Sequence, residues 1–366
     1  MERPAGDPHL VFAVPATELA RPRHVGAGCP HREERLTTMA HNHTGHAGTH
    51  DPGTHDDGSH DHGHRHDEGR TGHQGHEGHQ GHHHGDTDID WAVMAPLLES
   101  QAELFTPLYE QVMAWLGAQV TGPGLIVDAG SGPGVVSCLF AEAFPAARVA
   151  AVDSSGPLLE RARVRAGRLG FADRFTTVTG ELPGALAELA YSADLLWASN
   201  SLHHLGDQRA ALAAFAEHLA PGGTLALLEG GLPGRFLPRD IGIGRPGLQA
   251  RLDAVEADWF TRMREDLPGS VAETEDWPAL LAAAGLKPAG TRSFLLDLPA
   301  PLSEPARAYV AGSLTRLREG LADDLTAEDR ATLDRLLDPE DEASVHRRKD
   351  VFVLKAHTVH TAVRTD

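Results

Sequence analysis

The run Asp128-Ala-Gly130-Ser-Gly132-Pro-Gly134 is the stretch where residue type and spacing announce chemistry. Three glycines at alternate positions follow the apolar Leu125-Ile-Val127. Apolar residues then resume in helical spacing at Val135, Val136, Leu139 and Phe140. A buried strand, a tight turn and a helix start form the place where α/β proteins hold nucleotide-like ligands. Glycine allows unusual dihedrals and close approach of a ligand to the backbone. The N–H groups at the helix start can face an anionic or polar group. A nicotinamide fingerprint reads G-x-G-x-x-G. Here Val135 stands where its third glycine belongs, and an acid precedes the first glycine.

Other candidates lie further along. Asp153 comes 19 residues after Gly134, at the end of the next apolar run, followed by Ser154. Glu181-Leu182 ends a third run. Asn200-Ser-Leu-His203-His204-Leu205 ends a fourth, and Glu229 a fifth. An imidazole at His203 or His204 could accept a proton near neutral pH, or simply cap the loop. Glu229 could bind a polar acceptor group or cap a turn. Trp259, Arg262 and Arg264 sit on a helical segment that could wall an acceptor pocket, although surface helices carry such residues anyway.

The elements that must hold these residues follow from periodicity. Met94 to Leu116 reads as two helices, with Thr106-Pro107 as the cap and first-turn proline of the second. Strands are expected at Leu125–Asp128, Arg148–Val152, Phe175–Val178, Asp194–Ala198 and Thr224–Glu229. Helices fall between them over Val135–Phe144, Leu158–Leu169 and Arg209–Leu219, with a short one ending at Ala190. Continuous apolar strands separated by amphipathic helices mean a parallel sheet covered on both faces. Beyond Glu229 the spacing predicts helices at Leu248–Leu267 and Trp277–Gly285, a strand at Ala289–Leu298, a helical insertion within 301–340 and a last strand at Asp350–Thr358.

The ends and the bulk composition bound the rest. Fifteen of the 24 histidines lie between His41 and His84, in a tract of His, Gly and Asp with almost nothing apolar to bury. Such a tract is expected to stay disordered. His60, His62, His64, His66, His82, His83 and His84 could chelate zinc or nickel in many registers, or could be a solubilising tail. Residues 1–40 show no periodicity, and Met39 is a candidate start. Residues 91–366 hold 37 acids against 25 bases within a net charge of -20. That balance argues against non-specific nucleic-acid binding, which needs many cations against phosphates. No run of about 18 apolar residues predicts a membrane span. Two cysteines give no disulfide framework, so a cytoplasmic location is expected. Oligomeric state is left open.

The string D-A-G-S-G-P-G resembles motif I of the class I S-adenosylmethionine (SAM)-dependent methyltransferases. Leu219 to Leu225, with Pro221-Gly222-Gly223, resembles the family's turn into strand five. The resemblance implies a Rossmann-like, doubly wound, mostly parallel seven-stranded sheet that closes with a hairpin. It implies that Gly130, Gly132 and Gly134 lie under the amino-acid tail and ribose of SAM, with Asp128 organising the loop. Asp153 and Ser154 would meet the ribose, Glu181 and Leu182 the adenine, and Asn200 the methionyl part. His203 or His204 could serve as base if the acceptor must lose a proton. The organisation implied is an arm over 1–90 and a methyltransferase domain over 91–366. That domain divides into N-terminal helices (91–123), SAM core (124–229), lid-like segment (230–275), sheet edge (276–300 and 346–360) and insertion (301–340). The expected acceptor is a small molecule methylated on oxygen or nitrogen rather than carbon. Rival readings are a metal-buffering protein with a SAM-sensing core and a nicotinamide oxidoreductase. Val135, Asp128 and the absence of a Tyr-x-x-x-Lys pair weigh against the latter.

Removing residues 1–90 separates these readings. The methyltransferase reading expects unchanged SAM affinity by calorimetry and retained turnover; loss of SAM binding would tie the tail to the core.

Overall fold

The computed structural model describes residues 91–365, and the histidine tract lies outside them. Helices α1 (Trp91–Leu104) and α2 (Thr106–Gly117) come first. Then β1 (Leu125–Ala129), α3 (Val135–Ala143), β2 (Arg148–Asp153), α4 (Gly156–Arg168), β3 (Phe175–Thr179), β4 (Ala193–Ser199), α5 (Gln208–Glu217) and β5 (Leu219–Arg235) alternate. The chain closes with α6 (Leu248–Asp266), α7 (Trp277–Ala283), β6 (Leu286–Leu298), α8 (Glu304–Gly320), α9 (Ala327–Leu337) and β7 (Val353–Arg364).

The seven strands form one sheet in the order β3-β2-β1-β4-β5-β7-β6. The first five pair in parallel. β7 runs antiparallel to both β5 and β6, so the sheet is mixed. The insertion α8–α9 interrupts the β6–β7 hairpin without breaking the sheet, as the sequence pattern predicts. Side chains alternate faces along a strand. Ile126 joins one core with Phe105, Leu108 and Phe140, whereas Leu125, Val127 and Ala129 join the other with Leu212, Phe215 and Leu280. The sheet is therefore covered on both sides, which explains why β1 is buried at every position.

Several boundaries differ from the sequence reading, each for a physical reason. The residue before α2 is Phe105, with no side-chain cap, so Thr106 is already helical and Pro107 lies in the first turn. β5 does not stop at Glu229. Gly231, Leu232 and Arg235 continue to pair with His357, Ala356 and Leu354, across bulges. β7 starts later and ends later than expected, because its last turns are polar yet buried. Thr361 donates to Gln119 at 3.1 Å, and His360 pairs with Thr291 at 3.1 Å. Buried polar side chains with partners do not register as an apolar run. The short helix after β3 is a single 3-10 turn over Gly184–Glu188.

The packing of α4 on the glycine turn fixes one glycine. Gly134 precedes α3 with φ 73°, and an added Cβ would lie 2.4 Å from the Ala162 Cβ and 2.8 Å from its Cα. Gly134→Ala is expected to cost roughly 2–4 kcal/mol in urea unfolding. Pairing it with Ala162→Gly should recover part of that loss. An equal loss in both backgrounds would remove the contact as its cause.

Candidate functional site

The glycine turn sits at the carboxyl ends of β1 and β2, and the backbone holds it from below. Val152 O accepts from the Gly130 N–H at 2.8 Å and from the Ser131 N–H at 3.0 Å. Asp153 adds a side-chain grip: Oδ2 accepts from the Gly132 N–H at 2.8 Å, and Oδ1 from the Ser155 N–H at 2.9 Å. Ser155, rather than the exposed Ser154, caps α4 through its hydroxyl. Each carboxylate oxygen carries one bond and keeps a lone pair for further donors.

The three glycines have different reasons to be there. Gly134 faces α4, and Gly130 faces Ser201, whose Cβ would stand 2.8 Å from an added Cβ. Gly132 has φ 53° and nothing within 4 Å of that position. This is the open side of the turn, where a ligand can approach the backbone. The buried Ser131 hydroxyl finds no hydrogen-bond partner among the described residues. The residues present therefore fit a ligand with a vicinal diol and a polar tail.

Asp128 lies beneath the turn, 2% exposed. The Ser137 hydroxyl donates to its Oδ2 at 2.5 Å. Burial pushes its carboxyl up to about 7; the Ser137 bond opposes that and the Asp153 charge adds to it. Tyr109 of α2 is pushed up to about 12 by burial and by Asp128, while a hydrogen bond with Ser199 works the other way. Neither Ser137 nor Tyr109 stands out in the sequence; both look like ordinary helix residues.

The loop after β4 carries the remaining candidates. Asn200 adopts φ 49°, a left-handed conformation that asparagine tolerates. Its N–H donates to Leu228 O at 3.0 Å. Glu229, 4% exposed, binds this loop twice: Oε1 accepts from the Leu202 N–H at 3.0 Å, and Oε2 lies 3.2 Å from His203 Nδ1. His203 and Glu229 therefore form an oriented pair, which leaves Nε2 as the other working nitrogen of the ring. His204 stacks on His203 with ring centroids 4.3 Å apart. Leu182 comes within 3.9 Å of the Cβ position at Gly130, and Glu181 is exposed beside it. Thus Asp128, Gly130, Gly132, Asp153, Leu182, Asn200 and His203 meet at one sheet edge.

The three residues expected to wall a pocket on α6 part ways. Trp259 lines a cavity of about 360 Å³. Arg262 pairs with Asp324, and Arg264 turns to the His203 loop. The cavity lies between α1, α6, α8 and the adjoining ends of β5 and β7. Its charged lining comprises Asp253, Glu256, Arg316 and Lys355. Asp253 is taken by Arg235. Burial raises Glu256 and lowers Lys355; Arg316 lowers Lys355 further, while Glu256 supports its charge. Burial and then Lys355 push His357 down to about 3, keeping it neutral against the Phe105 ring at 5.6 Å. No motif marks this lining in the sequence. Among the described residues no cluster of three metal-ligating side chains occurs, and no helix is long and apolar enough to cross a membrane.

Comparison with known proteins agrees with this geometry. The family described as "Methyltransferase domain" matches residues 126–223. Trans-aconitate 2-methyltransferase of Methylobacterium radiotolerans is 31% identical over 218 residues, which cover 54% of this chain and 78% of that protein. The protein of the same name from Streptomyces coelicolor is 36% identical over 119 residues, 31% of this chain and 36% of its own length. A solved O-methyltransferase family protein from Burkholderia thailandensis superposes with a TM-score of 0.43 at 14% identity, over 73% of this chain and 58% of that one. The chain belongs to the class I SAM-dependent methyltransferases. Bound SAM supplies a methyl group already activated by a sulfonium.

Asp128 sets a pH dependence in the free protein. The folded state holds its proton more tightly than the unfolded chain, so stability falls as pH rises from the ordinary carboxylate range to about 7 and then levels. The change across that window amounts to roughly 4 kcal/mol in total. Asp128→Asn should flatten it in urea titrations at a series of pH values; an unchanged slope would assign it to other groups.

Proposed function

We propose that the protein methylates an oxygen of a small-molecule acid bound in the cavity between α6, α8 and β7. The carrying observation is the pair Lys355 and Arg316. Both line the cavity and neither forms an ion pair among the described residues; Arg316 disfavours the charge on Lys355, though less than Glu256 supports it. Lys355, half-buried, and Arg316, exposed, both offer a cation to an anionic ligand, and charge-assisted hydrogen bonds to a carboxylate are strong. The trans-aconitate 2-methyltransferases among the relatives support the same class of acceptor.

Two elements run between the cavity and the candidate donor site. On α6, Glu256 and Trp259 line it, while Phe260 packs on His203 with ring centroids 5.7 Å apart. On α2, Tyr109 feels Asp128, while Phe105, just before that helix, packs edge-on against Tyr309 of the cavity wall. A carboxylate oxygen needs no proton removed, so the protein's task is alignment and charge neutralisation. Asp128, the glycines, Asp153 and Ser154, with Glu181, Leu182 and Asn200, hold the donor in this reading. The pairing of His203 with Glu229 favours a second reading: an acceptor hydroxyl whose proton passes to Nε2.

The product distinguishes the two. With methyl-labelled SAM and a series of di- and tricarboxylic acids that includes trans-aconitate, mild alkali should release the label as methanol, the mark of a methyl ester. Lys355→Met should raise the acceptor KM more than about tenfold and leave SAM affinity unchanged. Alkali-stable label that disappears in His203→Asn would replace the ester reading with the hydroxyl one. An unchanged KM in Lys355→Met would remove the cavity from the acceptor site.

A further inference from the structure

The two ends of α6 touch different parts of the molecule. Its first half lines the cavity with Leu252, Asp253 and Glu256. Its last turns grip the loop after β4. Arg264 Nη1 donates to His203 O at 2.7 Å and to Leu205 O at 2.6 Å, and Nη2 donates to Gly206 O at 3.2 Å. A planar fork spread over three carbonyls of one loop fixes both its position and its orientation. The turn that follows α6 extends the grip. The Val271 N–H donates to Gly206 O at 3.1 Å, and the Ser270 hydroxyl donates back to Arg264 O at 2.7 Å. Gly206 has no room for a side chain, since an added Cβ would lie 2.2 Å from Pro268 O.

The far side of the same loop rests on the donor site. The Ser201 hydroxyl donates to Ala129 O at 3.3 Å, Ser201 crowds Gly130, and Glu229 binds Leu202 and His203. Residues 200–206 are thus clamped between the glycine turn and the end of α6. The start of α6 is pinned elsewhere: Arg251 makes a forked pair with the buried Asp329 of α9. A shift of the loop therefore carries the end of α6 with it, and Glu256 and Trp259 lie only one to two turns away.

We propose that Arg264 is a positioning residue that couples the donor site to the cavity. Donor in place fixes residues 200–206; Arg264 passes that constraint to α6; and α6 then sets the cavity wall, so that the acceptor is taken after the donor. That the cavity receives the acceptor rests on the function proposed above, but the coupling between loop and helix does not. The test below uses the donor alone, so a wrong acceptor assignment would leave its result intact.

Hydrogen exchange of the full chain, with and without SAM, reads the coupling directly. In the unsubstituted protein SAM should slow exchange by about tenfold in residues 129–134 and also in 252–264. Arg264→Gln should keep the first protection and lose the second, and Arg264→Lys should retain part of it. Arg262→Gln, which breaks a pair with Asp324 on the same helix, should leave both unchanged. Equal protection of 252–264 in Arg264→Gln, or none in the unsubstituted protein, would overturn the proposal. If Arg264→Gln does not fold by thermal melting, full protection of 252–264 in Arg264→Lys is the overturning result and partial loss the supporting one.

Discussion

The Asp153 carboxylate holds the Gly132 amide at 2.8 Å, and through it the glycine turn keeps its shape before any ligand arrives. The turn gains little from side-chain burial of its own glycines. Its three glycines have φ between 53° and 81°, and they contribute no side chains to a core. Glycine carries a large entropic cost when it is fixed in this way. Asp153, the Val152 carbonyl and the helix packing at Gly134 together offset that cost. The site is then preorganised, which is what an enzyme that mainly aligns two reactants requires.

A second constraint lies one strand over. Asp128 is buried beneath the same turn with the hydroxyl of Ser137, and Tyr109 reaches the same region from α2. A buried carboxyl is expensive unless it is bonded or neutral, and here it is both bonded and shifted toward neutrality. This places a titrating group under the glycine turn of the candidate donor site. It also links that turn to α2, and Phe105, just before α2, packs on Tyr309 of the cavity wall.

Much of the donor site was legible in the sequence because its demands are local. A turn at positive φ favours glycine, and the acid that ends the next strand grips that turn, so Gly132 and Asp153 show in a single chain. The alternation of buried strands and amphipathic helices likewise gave the parallel part of the sheet. The acceptor side was not legible. Lys355, Arg316 and Glu256 come from three elements spread over a hundred residues, and each alone reads as a surface charge. The pairing of His203 with Glu229 was equally hidden, since both residues were visible but the 26-residue gap between them says nothing of contact. The end of β7 was missed for a related reason: His360 and Thr361 are buried because Thr291 and Gln119 receive them, and a partner cannot be read from one strand.

Charge gives the cavity its sharpest contrast with the rest of the molecule. The chain carries a net charge of -20, which at long range repels an acid. That repulsion is screened beyond about 8 Å at physiological ionic strength. Inside a partly desolvated cavity, Lys355 and Arg316, with Glu256 beside them, act through a lower effective dielectric than the surface charges do. An acidic surface around a pocket that offers cations beside its own acids would slow encounter with anions in general while leaving the affinity of a fitting one to the pocket. Selectivity in such a site depends on how well the walls are set when the acceptor enters. The wall that carries Glu256 and Trp259 is the helix that Arg264 ties to the loop after β4, so in the proposed reading the wall that would choose the acceptor and the loop beside the candidate donor site are held by one strut.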